Sequence, residues 1–101
     1  FLIKTDPQGK VLRAQIPLPG VWAPEHPDVL AGTATANLGG SGGFEGMALN
    51  ASGTKLFTLL EKTVSGDATK TLRINEFALA TEAYTGWVAF YPLEPEGTAI
   101  G

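Results

Sequence analysis

The sequence has no cysteine, a single histidine and little charge of either sign. Without cysteine there is no disulfide framework, no thiolate zinc site and no cysteine nucleophile. One histidine is too few for a closed zinc site of the usual kind. Long apolar runs are also missing. None approaches the roughly 18–20 residues that a membrane helix needs, so no membrane span is expected. Lys and Arg number 7 against 10 Asp and Glu, for a formal charge of −3. With no basic cluster there is no electrostatic footprint for a phosphate backbone, which excludes nucleic acid as a partner. Helical periodicity is absent as well. The stretch from Ala78 to Ala83 has helix-forming residues but is too short to stand alone.

What is present fits one small β-rich unit. The 101 residues suffice for about one domain with a modest core. The 44% hydrophobic content belongs to a globular chain and not to a disordered one. Thirteen Gly and seven Pro cut the sequence into short segments. Leu12, Ala14, Ile16 and Leu18 alternate with Val11, Arg13, Gln15 and Pro17, which is the period of a strand with one buried face. Asp6-Pro7-Gln8-Gly9 before it is turn chemistry, so residues 1–18 read as a hairpin.

Four further strands are predicted over 44–49, 55–61, 71–79 and 87–93. Asn50 to Thr54 supplies the first turn, a polar loop at 64–70 the second, and residues 80–86 the third. The apolar parity of the third strand of the set switches between Ile74 and Phe77, which predicts a bulge. The fold class is therefore all-β, an antiparallel four-stranded meander preceded by a hairpin.

An internal echo suggests a repeat. Residues 11–18 end in Ile16-Pro17-Leu18 and residues 87–93 in Tyr91-Pro92-Leu93. Residues 1–18 would then be the last two strands of one unit and 44–93 a complete next one. Repeated four-stranded sheets are the logic of a β-propeller, about one and a half blades here. A small β-sandwich with a chance echo is the plainer alternative. Between the units lies a Pro- and Gly-rich loop, 19–43, of a length that is usually functional or disordered. The chain opens on Phe1-Leu2-Ile3 and its segment 94–101 starts a further connection, so a piece of a longer protein is expected.

Candidate functional residues are few. Gly39-Gly40-Ser41-Gly42-Gly43 spells G-x-S-x-G, but a nucleophile elbow needs a strand before Ser, a helix after it and a downstream histidine. Here His26 lies upstream, in an exposed proline-rich loop where solvation is its ordinary fate. Asn50-Ala51-Ser52 spells a glycosylation sequon in a turn. Asp67 and Glu76 read as surface charges. Glu45 and Glu61 are the informative pair. In a hairpin turning at 51–54, both fall near the open end, where two facing carboxylates repel unless a cation intervenes. Calcium, which takes about six to eight oxygens, is the cation such a site favours. The alternative leaves Glu61 solvated and Glu45 against backbone N–H groups of the glycine loop.

One resemblance is specific. The run from Gly39 to Leu49 with its Phe44-Glu45-Gly46, the turn into Lys55-Leu56-Phe57, Leu59-Leu60-Glu61, the strand Leu72 to Phe77 and Ala99-Ile100-Gly101 together resemble the phytase-like family described as "esterase-like activity of phytase". Ser52-Gly53 stands where an aspartate-glycine is usual. The resemblance implies a β-propeller of which this chain is a part, and periplasmic or extracellular export. It also implies cation-dependent hydrolysis of a phosphorylated small molecule, with calcium held at Glu45 and Glu61. The other reading is a non-catalytic propeller module that binds a partner through its 19–43 loop. A lone wedge of such a ring is expected to self-associate through open sheet edges.

Overall fold

The computed structural model describes residues 1–97. The chain is all-β, with strands β1 (Leu2–Thr5), β2 (Val11–Ile16), β3 (Phe44–Leu49), β4 (Lys55–Leu60), β5 (Thr71–Ala78) and β6 (Ala83–Pro92). β1 and β2 form an antiparallel pair, and β3-β4-β5-β6 a four-stranded antiparallel sheet in sequence order. The last residues of the predicted connection over 94–101, from 98 onward, lie outside the described residues.

The hairpin turns are set by local chemistry. Gly9 closes the first at a φ of 87°. In the second, the Asn50 carboxamide oxygen accepts from the backbone N–H groups of Thr54 and Lys55 at 2.9 and 3.0 Å. Three predicted strands keep their starts at 44, 55 and 71.

The last strand departs from expectation. It begins at Ala83, four residues earlier than read from the sequence, and the turn shrinks to Leu79–Glu82. Glu82 takes the left-handed conformation that closes it, with φ 51°. Pairing then runs from Ala78↔Ala83 onward, and Phe77 meets Tyr84 edge-on with ring centroids 5.1 Å apart. The predicted irregularity is present. The β5–β6 register slips between Ile74 and Asn75 and again between Glu76 and Phe77. The extra residues are on β6, however, at Val88 and Thr85.

Side chains alternate along a strand, so register assigns faces. Met47, Thr58 and Asn75 share one face through the pairs Met47↔Thr58 and Thr58↔Asn75. Leu49, Leu56 and Phe77 share it by the same rule. The β1–β2 hairpin lies over this front face. It is tied to the β5–β6 turn by an ion pair between Lys4 and Glu82 and by the Arg13 guanidinium, which donates to the Glu82 carbonyl at 2.9 Å.

The 19–43 connection is an ordered part of the core. Val21 and Leu38 from this segment pack with Leu60 and Val64, and Leu18 and Phe44 close over them. Asn37 stitches the segment to itself: its side chain accepts from Trp22 N–H at 2.7 Å and donates to the Gly20 carbonyl at 2.8 Å. Its carbonyl accepts from Ser65 N–H at 2.8 Å. The segment also holds a one-turn helix, α1 (Pro27–Leu30), which no helical periodicity announced. Proline at its start and an N-cap suffice for a single turn.

Candidate functional site

An open cleft of about 910 Å³ lies between the hairpin and the four-stranded sheet. Its walls are β1 on one side and the start of β3 on the other. Ile16, Leu56 and Phe77 also line it. Two carboxylates reach it, Glu45 and Glu82.

Glu45 owes its position to a bulge. Phe44 pairs with Leu60 and Gly46 with Leu59, which leaves Glu45 as the extra residue of β3. A bulge re-aims a side chain and is a recurring device beside functional sites. The exposed Glu45 makes no ion pair among the described residues. Glu61 sits just past β4, at the same end of the hairpin, and its N–H donates to the Gly43 carbonyl at 2.8 Å. It is half-buried and is not among the residues lining the cleft. The sequence reading of one hairpin end is thus met, while the register sets Glu61 across from Gly43. Among the described residues, no three His, Asp or Glu side chains come together in a way that holds a metal ion.

The glycine run serves the same corner. A Cβ on Gly42 would lie 2.7 Å from the Gly39 carbonyl oxygen and 3.3 Å from the Leu38 side chain, so only glycine fits. Lys62 crosses the run and donates to the Gly40 carbonyl at 2.7 Å. No helix follows Ser41; the next element is β3. His26 is the N-cap of α1, its Nδ1 accepting from Asp28 N–H at 3.0 Å, and its ring lies 5.2 Å from that of Phe1. The Asn50 carboxamide is engaged in its own turn.

Three polar constellations were not read from the sequence. Asp67, expected as a surface charge, grips Arg73 through two bonds of 2.7 and 2.9 Å, each side chain only 12% exposed. The Arg73 guanidinium lies 4.0 Å over the Trp87 ring. Glu76 accepts from Thr85 at 2.9 Å and pairs with Lys55 at 3.1 Å, and these bonds hold its carboxyl below the usual range. The third constellation is on the front face, where Thr58 and Asn75 are buried. The Thr58 and Tyr84 hydroxyls are both cut off from solvent without a hydrogen bond of good geometry. Burial pushes the Tyr84 phenol up to about 12, and the nearby Thr58 hydroxyl offsets this only in part.

No curated protein and no solved structure matches the chain. One family model matches it from residue 1 to residue 101, and its description is esterase-like activity of phytase. The Phe44-Glu45-Gly46 bulge, the β3–β4 hairpin and the strands after it all fall within that match. The chain belongs to the phytase-like family.

Proposed function

We propose that this chain is part of a phytase-like β-propeller that hydrolyses phosphoesters with the help of a bound cation. The observation that carries the reading is Glu45, a carboxylate with no ion pair among the described residues, set by a bulge at the open end of β3, beside the cleft. The family's description, esterase-like activity of phytase, is what supports this reaction class. Two carboxylates offer at most about four oxygens and calcium takes about six to eight, so Glu45 and Glu61 would hold calcium only with further oxygens, which the described residues do not bring to them. A cation bound there would offset the like charges of a phosphoester and polarise it. Glu45 would hold that charge at the rim, and the Lys4–Glu82 pair would keep the lysine from neutralising Glu45. Export to the periplasm or the exterior is part of the same proposal.

The test is calcium titration with thermal melting, alongside turnover of a chromogenic phosphate monoester with and without chelator. Calcium is expected to raise the melting midpoint and to be required for turnover. The double variant Glu45→Gln, Glu61→Gln is expected to lose both effects. An unchanged calcium shift in that variant refutes the metal assignment. The second reading, a non-catalytic module, is favoured by the cleft's mainly apolar walls. Partner binding without turnover would select it.

A further inference from the structure

We infer that a second pocket, formed by the end of β2 and the 19–43 connection, binds a methylated ammonium head of the kind choline carries. The pocket measures about 370 Å³ and is bounded by the start of α1. Small-ligand sites span about 300–1,000 Å³. It shares only Phe1 with the cleft that holds Glu45.

Three rings line it, those of Phe1, Trp22 and His26. The Phe1 and His26 rings lie 5.2 Å apart at a tilt of 37°. The face of an aromatic ring is electron-rich and attracts a cation placed over it. His26 contributes as a neutral ring, because its Nδ1 accepts from the Asp28 N–H at 3.0 Å and an imidazolium has no lone pair to do so. The charge of the pocket also suits a cation. Asp28 lines it and pairs with no lysine or arginine among the described residues. No lysine or arginine is in the lining.

Hydrogen-bonding capacity decides which cation. A primary ammonium brings three donors, each of which needs an acceptor. Here the Leu18, Gly20 and Pro27 carbonyls already accept from the Val21 N–H, the Asn37 side chain and the Ala31 N–H. A methylated ammonium has no donor to satisfy. It lays C–H groups on the rings and on Pro17 and Pro19, while the Asp28 carboxylate supplies the counter-charge. Gln15 on the pocket wall has a φ of 52°, a left-handed backbone that glutamine rarely adopts, and such strain recurs at ligand clamps.

This inference depends neither on calcium nor on hydrolysis, so it and the proposed function can fail separately. The probe is choline, titrated into the 101-residue chain with the Phe1 amine acetylated so that no terminal charge competes. The control is the neutral alcohol in which a tert-butyl group replaces the trimethylammonium. One choline per chain is expected to bind, shifting the NMR signals of the Trp22 indole N–H and the Asp28 amide. Choline should bind about fivefold or more tightly than the neutral alcohol. Asp28→Asn, at an exposed position, should remove that preference and leave the melting midpoint unchanged. Trp22→Leu should weaken binding of both. Choline binding accompanied by association with phosphatidylcholine vesicles assigns the head to a lipid, and choline binding without it to a free solute; either keeps the inference. No saturable binding, equal affinity for the neutral alcohol, a preference that Asp28→Asn leaves intact, or shifts confined to Trp87 overturns it.

Discussion

Gly42 has no room for a side chain, because a Cβ would come within 2.7 Å of the Gly39 carbonyl. Backbone oxygen cannot swing away as a side-chain tip can. Gly42→Ala is therefore expected to destabilise the chain by about 1–3 kcal/mol, read as a lower urea midpoint, while Gly43→Ala, which meets nothing within 4 Å, should cost much less. Tyr84 makes a different prediction. Its folded value of about 12 lies above the ordinary tyrosine value, so the folded state keeps a proton that the unfolded state releases. Its contribution is complete below about pH 10 and is lost as pH rises toward 12. Melting across that range should show a fall in the native protein that Tyr84→Phe flattens. Glu45 was visible in the sequence as an acid inside an apolar strand, but its bulge was not. Nothing in Phe-Glu-Gly states that the register slips there; that follows from how β3 meets β4. Asp67 and Arg73 were still less visible. The loop before β5 brings them together, and six residues of separation have no meaning outside that loop.

At the scale of elements, the β1–β2 hairpin depends on the β5–β6 turn. Lys4 and Arg13 both reach Glu82. The hydrogen bond from Lys4 is the main cause that holds the Glu82 carboxyl below the usual range. A lowered carboxylate contributes stability above its ordinary titration range and loses it as pH falls through the lowered value. Acid, or high salt, should loosen the hairpin first, seen as faster amide exchange over Leu2–Ile16 than over β4 and β5. Glu82→Gln should show the same pattern at neutral pH. Most elements were legible as short apolar runs between turns, but the alternation of Leu12, Ala14 and Ile16 does not survive in β2, where the register slips twice, Leu12 is an extra residue and 55% exposed, and Ile16 alone is buried. β6 was legible only from Trp87 onward. Its first residues follow helix-forming Ala and Glu and precede Gly86, which reads as a turn. The real turn closes on Glu82 in a left-handed conformation, for which glutamate gives no sign.

At the scale of the whole molecule, one sheet of two strands faces one of four, and the edge strand β3 exposes Met47 and Leu49. Past its Glu45 bulge, β3 is an apolar edge with neither charge nor proline, and such an edge invites pairing. The chain alone is expected to sediment as larger species at higher concentration, with a melting midpoint that moves with concentration. A monomer with a concentration-independent melt would contradict this. β6 is less prone to pairing, since its two bulges and Pro92 spoil a flat edge.

The segment between β2 and β3 has a practical consequence for anyone trimming this protein. It is the roof over Leu60 and Val64, with Val21 and Leu38 as its beams. Replacing it by a short flexible tether would spare every strand and still lay that interior open to water. Sites for insertion or chain breakage are better sought at the Asn50–Thr54 tip, where the backbone is exposed and no buried side chain depends on it.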